Sequence, residues 1–175
     1  PGVLNHIEVD ADTLNASALE LLNEALDALL DTRAREGAQL ANMIQERLDG
    51  IDVQTARVRQ ALPAIRDALR ERLRQRVEDV VDSPDPDRLE QELVMAAQKM
   101  DVDEELDRLA THVTEVRRVV EKGGQIGRRL DFLMQELNRE ANTLASKSVD
   151  AETTAAAVEL KVLIEQMREQ IQNIE

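Results

Sequence analysis

Apolar residues recur at intervals of three and four along almost the whole chain, which is the spacing of one face of an α-helix. The clearest stripe runs through residues 125–147 and consists of Ile126, Leu130, Leu133, Leu137, Ala141 and Leu144. No stretch alternates apolar and polar residues as a half-buried β-strand does. The sequence therefore predicts an all-α protein in which no sheet is expected.

The core of this protein must be built almost entirely from aliphatic side chains. Phe132 is the single aromatic residue among 175, and there is no Trp or Tyr. Leu, Val, Ile and Ala suit the narrow seams of long paired helices. We therefore expect long antiparallel helical hairpins that form an elongated bundle. Seams left wet would cost about 25 cal/mol per Å² of apolar surface, so association with other copies is also expected.

Helix-breaking residues divide the chain into three predicted parts. Residues 1–12 have no helical period and predict a linker or docking segment. Residues 13–82 are expected to form a long helical hairpin, with its first helix ending at Gly50 and its second kinked at Pro63. The turn lies at Gly50 in this interpretation, because glycine is the commonest residue just after a helix end.

The third predicted part is a C-terminal helical domain over residues 83–175, which opens with the proline-containing segment 83–87. This domain contains the helix predicted over residues 125–147. Asp150 is predicted to cap its last helix, which is expected to pack through a stripe that includes Val158 and Val162.

Composition excludes several classes of function. The chain has no cysteine, so disulfides, zinc–thiolate sites and thiol catalysis are excluded. No apolar run approaches the roughly 20 residues of a membrane span, and we expect a cytoplasmic protein with no membrane association. The net charge of -14 argues against nonspecific nucleic-acid binding over the whole surface but allows a local basic groove.

One segment is basic in spite of that acidic balance. Seven arginines lie between residues 57 and 76, against two acidic residues. Four of them share one face at helical spacing: Arg59, Arg66, Arg70 and Arg74. This stripe either contacts nucleic-acid phosphates or pairs with acidic helices of the same or another subunit, and the sequence leaves both alternatives open.

Two glutamates in the 125–147 helix form a candidate metal site. Glu136 and Glu140 are one helical turn apart and can share a divalent cation. Asp131 lies on another face and can join such a site only with help from a second helix or subunit. The alternative is that the two glutamates only pair with Arg129 and Lys147, or with arginines of a neighbouring helix.

Histidine supplies the natural candidate for proton transfer near neutral pH. His112 stands beside an apolar stripe, next to Glu105 and Arg108 at helical spacing. The alternative is a buried, hydrogen-bonded histidine with a purely structural role.

Several blocks of the sequence resemble the YicC/YloC family of bacterial proteins. Residues 127–143 with the following Ser146 and Lys147 are similar to its C-terminal signature, and residues 35–40, 104–112 and 167–175 match its patterns in the same order. The resemblance covers essentially the whole chain. The family's proteins also carry an N-terminal α/β domain that this chain is expected to lack.

The resemblance implies a metal-dependent endoribonuclease that cleaves single-stranded regions of RNA and works as a ring-like homo-oligomer of six copies. It implies manganese or magnesium as the cofactor. Combined with the residue patterns, it predicts catalytic roles for His112, Glu105, Glu136 and Glu140, metal binding by Asp131, Glu136 and Glu140, and RNA contacts from Arg59, Arg66, Arg70, Arg74, Arg128 and Arg139. The alternative is a helical oligomerisation arm that has no activity on its own.

Overall fold

The computed structural model describes residues 10–79 and 85–172, and all of its regular structure there is helical. The helices are α1 (Ala11–Glu78), α2 (Pro86–Lys99), α3 (Asp103–Lys122), α4 (Gly127–Lys147) and α5 (Ala151–Ile171). The all-α prediction is confirmed for these residues. The chain divides into two compact units, residues 1–42 and 43–175, whose boundary falls within α1.

In the 43–175 unit, neighbouring helices run in opposite directions. Arg57 on α1 pairs with Glu152 near the start of α5 at 2.8 Å, and Arg47, ten residues earlier on α1, donates to Gln166 near its end at 2.9 Å. This reversed order makes α1 and α5 antiparallel. The short connections 123–126 and 148–150 fold α3, α4 and α5 back on one another.

Helix α3 is likewise antiparallel to α1. Arg117 near its end pairs with Asp49 at 2.7 Å, and Asp103 at its start pairs with Arg66 at 2.8 Å. The second part of α1, then α3, α4 and α5 therefore alternate in direction, as in an up-and-down four-helix bundle. The predicted antiparallel helical hairpins are present in this unit.

An aliphatic core holds this bundle together. The apolar stripe predicted for α4 is buried from Leu130 to Leu144, as expected from its spacing. Its buried side chains include Ile44, Leu48, Ile51 and Val58 from α1, Leu106, Leu109, Val113 and Val116 from α3, Leu130, Leu133, Leu137 and Leu144 from α4, and Leu160, Ile164 and Met167 from α5.

The predicted helix end at Gly50 is wrong. Helix α1 continues through this residue and through Pro63, so residues 11–78 form one helix where a hairpin was predicted. A Cβ atom on Gly50 would lie 3.0 Å from Leu163 Cδ1 on α5. Glycine therefore lets α5 approach α1 closely at this point and does not terminate the helix.

The packing face predicted for the last helix is wrong in part. Val158 and Val162 are 56% and 44% exposed. The core face of α5 instead contains the smaller Ala156 and Ala157 together with Leu160. The smaller alanines are buried and the larger valines are exposed, so side-chain size did not decide which face of α5 packs into the core. Alanine allows α5 to lie close against its neighbours.

Helix caps in the bundle follow the sequence signals. The Asp150 carboxylate accepts hydrogen bonds from the backbone N–H groups of Glu152 and Thr153, both at 2.9 Å, as predicted. Gly123 ends α3 with a φ of 63°, a conformation that favours glycine. The predicted linker 1–12 and the breaker 83–87 lie partly outside the described residues, and α1 already begins at Ala11.

The 1–42 unit consists, over its described residues, of the first part of α1. This segment carries a row of leucines that is exposed. The side chains of Leu14, Leu19, Leu21, Leu22, Leu26, Leu29 and Leu30 are 48–65% accessible to solvent. Seven exposed leucines on about five helical turns form an apolar surface that a globular protein seldom leaves uncovered. We call these residues the leucine stripe.

Membrane insertion was tested on the described helices. None of them is both long enough and sufficiently apolar to cross a bilayer.

The close approach at Gly50 gives a testable difference between two glycines of α1. We expect Gly50→Val to lower the free energy of unfolding by about 1–3 kcal/mol, because the new side chain must displace Leu163. Gly37→Val is the matched control, since a Cβ there meets nothing within 4 Å and valine is a better helix former than glycine. Urea denaturation followed by circular dichroism measures both, and equal midpoints for the two variants would contradict this account.

Candidate active site

Helices α3 and α4 bring three potential metal ligands together. His112 on α3 and Glu136 and Glu140 on α4 each place a ligand atom within 4.8 Å of the other two. Among the described residues, this is the only group of three or more such side chains arranged in this way. The i to i+4 spacing aligns the two glutamates on one helix face, and the antiparallel packing of α3 supplies the imidazole.

The three side chains differ in exposure. Glu140 is only 3% exposed, whereas Glu136 and His112 are half-buried. The cluster therefore has a buried floor and an open side that a substrate can reach. A buried carboxylate is costly unless a cation or hydrogen-bond donors compensate it.

Arg108 provides that compensation for Glu140. Its Nη1 lies 3.4 Å from Glu140 Oε1, and its Nη2 donates to Glu104 Oε1 at 2.6 Å. Coulombic attraction to Glu104 and then to Glu140 raises the pKa of Arg108 above its ordinary value. The guanidinium therefore stays charged and holds the buried carboxylate in place.

The donor set suits a divalent cation. Carboxylate oxygens are the ligands that Mg²⁺ and Mn²⁺ prefer, and an imidazole nitrogen adds affinity for first-row transition ions. Two glutamates and one histidine on two packed helices therefore form a set of ligands suited to such an ion. The predicted pair of Glu136 and Glu140 is brought together with His112, for which the sequence had suggested proton transfer.

Two other predicted site residues lie elsewhere. The Asp131 carboxylate accepts a hydrogen bond from Gln135 Nε2 at 2.8 Å and is outside the cluster. Glu105 is buried, and its Oε1 accepts a hydrogen bond from Lys147 Nζ at 2.8 Å. Glu105 is two helical turns from His112 along α3, so within this subunit its role is that of a buried ion pair.

Each arginine of the α1 stripe forms an ion pair with an acidic side chain. Of the two alternatives that the sequence left open, pairing with acidic residues is the one present in this subunit. All four side chains remain partly exposed, at 44–62%. Their partners are Asp107 for Arg59, Asp101 and Asp103 for Arg66, Glu90 for Arg70, and Glu78 for Arg74.

The two arginines predicted to bind RNA from α4 are less engaged. Arg128 is exposed and makes no ion pair or hydrogen bond with any described residue. Arg139 is 70% exposed and only reaches Glu136, at 4.0 Å. These two side chains are the freer cations near the cluster.

No role was predicted for Phe132, and Arg129 was predicted only as an alternative ion-pair partner of the two cluster glutamates. The Phe132 side chain is 49% exposed, and the Arg129 guanidinium lies 5.5 Å from the centroid of its ring. Arg129 also donates to Glu115 at 3.1 Å. Hydrogen bonds from Arg118 and then Arg129 lower the pKa of Glu115 to about 2, so it is ionised at neutral pH. The sequence feature that could have identified Phe132 is its position one helical turn before Glu136.

Comparison with known proteins places the cluster within a recognised region. A family model described as "Endoribonuclease YicC-like, C-terminal" matches residues 58–175, which include His112, Glu136 and Glu140. A Haemophilus influenzae protein named probable endoribonuclease YicC is 54% identical over 175 residues, covering 100% of this chain and 61% of the relative. A Clostridioides difficile protein of the same name is 37% identical over 171 residues, covering 96% and 58%.

The chain thus spans about three-fifths of the length of these relatives. The family match extends over the second part of α1 and all of α2 to α5, and the similarity to the Haemophilus influenzae protein extends over the whole chain. The resemblance seen in the sequence blocks is confirmed: the chain belongs to the YicC-like family.

Proposed function

We propose that this chain is the catalytic C-terminal part of an endoribonuclease whose divalent metal ion is held by His112, Glu136 and Glu140. The observation that carries the proposal is the convergence of these three ligand groups within 4.8 Å, inside the region that the family model matches. The relatives named as probable endoribonucleases are longer than this chain, and their name gives the class of substrate.

Cleavage of a phosphodiester requires an activated nucleophile, compensation of charge on the phosphate oxygens and a proton for the leaving oxygen. A divalent cation supplies Lewis acidity for the first two requirements when it is bound. Glu140, buried and held by Arg108, would hold the ion from the floor of the site. Glu136, half-buried, would hold it from the more exposed side.

His112 has two possible functions in this site, and its position favours one. An imidazole nitrogen within 4.8 Å of both carboxylates is well placed to be the third metal ligand. The sequence had suggested proton transfer instead. A nitrogen that binds the ion is not available to carry a proton, so metal binding is the role we propose.

Substrate RNA reaches the open side of the cluster along α4 in this proposal. Arg128 and Arg139 flank the glutamates on the same helix and contact phosphates, since both are highly exposed and weakly engaged. The arginines of α1 contribute less, because each must first leave an acidic partner. A groove restricted to α4 is consistent with a chain whose net charge is -14.

Homo-oligomerisation is the second part of the proposal. The leucine stripe of the 1–42 unit is exposed, and burying it against other copies gains about 25 cal/mol per Å². Six copies are expected from the family resemblance. The same stripe favours the alternative function, a helical oligomerisation arm with no activity of its own.

The metal site is tested by Glu136→Gln and His112→Ala. Each should reduce cleavage of a labelled single-stranded RNA by roughly 100-fold or more, because the catalytic ion loses a ligand. Each should also weaken Mn²⁺ binding measured by calorimetry without RNA. Glu159→Gln, which changes an exposed acid on α5, is the control and should behave like the unmodified protein.

Chelation with EDTA should abolish cleavage, and added Mn²⁺ should restore it. Wild-type cleavage rates in both site variants would show that the ion, if needed, is held elsewhere. An unmodified protein that assembles but does not cleave RNA would support the oligomerisation arm.

Assembly is tested by Leu22→Gln together with Leu26→Gln. These changes place two polar side chains in the leucine stripe and should lower the sedimentation coefficient to that of a smaller species. Val158→Gln together with Val162→Gln is the matched control, because these valines are equally exposed but belong to α5. Equal sedimentation of the two double variants would argue against the leucine stripe as the subunit contact.

A further inference from the structure

We propose that Phe132 is the surface on which one unpaired base of the RNA stacks, so that the adjoining phosphate lies at the His112–Glu136–Glu140 cluster. This inference rests on the proposed function and adds a substrate-positioning residue to it. Single exposed apolar side chains are common on protein surfaces, so exposure alone does not carry the argument. The position, the neighbours and the chemistry of Phe132 do.

Phe132 shares a stripe of α4 with both glutamates of the cluster. Phe132, Glu136 and Glu140 are spaced at i, i+4 and i+8, so each side chain leaves the helix about 40° round from the one before it, and Phe132 and Glu136 are neighbours on the helix surface. Four residues of α-helix rise about 6 Å. A ring one turn before the first metal ligand is therefore within the reach of a single nucleotide, with its phosphate at the cluster and its base at the ring.

The ring is accompanied by a fixed cation. The Arg129 guanidinium lies 5.5 Å from the ring centroid, within the range of a cation–π contact. Glu115 holds Arg129 at 3.1 Å and is itself held by Arg118 at 2.7 and 2.8 Å. The guanidinium is still 53% exposed. An aromatic ring with a positioned arginine is the usual combination on which proteins stack single-stranded bases.

A contact with another protein subunit is the competing explanation for an exposed aromatic residue. The surroundings of Phe132 do not resemble the apolar leucine stripe. The exposed or half-buried side chains nearest to it along α4 are charged or polar, namely Arg128, Arg129, Asp131, Gln135 and Glu136. A lone ring among polar and charged side chains, with Arg129 beside it, fits a base attached to an anionic backbone better than it fits an aliphatic protein surface.

Stacking on Phe132 would also give a physical reason for cleavage in single-stranded regions. A base within a duplex is already stacked and paired on both sides, so it must leave the helix before it can lie on a protein side chain. An unpaired base has no such cost. The ring therefore selects for flexible RNA beside the cut, independently of sequence, because every base has a π-face.

The experiment compares Phe132→Ala and Phe132→Trp on short single-stranded RNAs in which one nucleotide at a time, on either side of the cut, is abasic. Base stacking is worth about 1–3 kcal/mol by alanine substitution, so Phe132→Ala should reduce kcat/KM by roughly 5- to 150-fold. Phe132→Trp should retain activity. Val158→Ala, another exposed apolar residue, is the control and should have no effect.

The abasic substrates distinguish base stacking from a purely structural role of Phe132. A structural role would not make the loss of activity depend on which base is missing. One abasic position should slow the unmodified protein by about the same factor as Phe132→Ala, and should have little further effect on that variant. If the rate losses from the abasic position and from Phe132→Ala multiplied, the inference would be overturned. An unchanged rate in Phe132→Ala would also overturn it. A changed sedimentation coefficient of Phe132→Ala would also overturn it, since the ring would then be a subunit contact.

Failure of the proposed function gives a different result. If the unmodified protein does not cleave RNA with Mn²⁺ present, the catalytic assignment fails, and the role of the ring is decided by binding. Fluorescence anisotropy of the same labelled RNAs, with EDTA present, should then show weaker binding to Phe132→Ala and to the one abasic RNA. Equal affinities for both proteins would reject stacking on Phe132.

Discussion

The antiparallel packing of α3 against α4 is the interaction on which the rest of the structure depends. Aliphatic side chains on both helices, such as Val113 and Ala141, are buried in the shared core. Each of these two residues directly follows a member of the cluster, His112 and Glu140 respectively. The same packing that excludes water from the core therefore sets the distance between imidazole and carboxylates. Rigid helices hold such groups more accurately than loops do.

Charge is organised around one buried group. Glu140 is almost inaccessible, and Arg108 lies beside it as the compensating cation. Much of the remaining charge forms partly exposed pairs, which contribute little to stability individually but keep the arginines of α1 occupied. Arg128 and Arg139 on α4 are less engaged. The RNA contacts proposed above are therefore assigned to the helix that carries the glutamates.

The C-terminal helices were predictable from the sequence, whereas the continuation of α1 through Gly50 and the core face of α5 were not. Spacing and caps located α3, α4 and α5 closely, because periodicity and capping are local properties of the chain. Gly50 was misread as a helix end, although it permits the close approach of Leu163. Val158 was expected in the core, but α5 turns its alanine face inward. Both errors concern the distance to another helix, which local sequence does not report.

The same division applies to the site. The sequence alone determined that Glu136 and Glu140 share a helix face, since residues four apart always do on an α-helix, and that only one aromatic ring was available. Only the tertiary structure decided that His112 joins these glutamates and that Glu105 pairs with Lys147 instead. The register between α3 and α4 arises from the packing of their apolar side chains, so contacts across the two helices exist only once the core has formed.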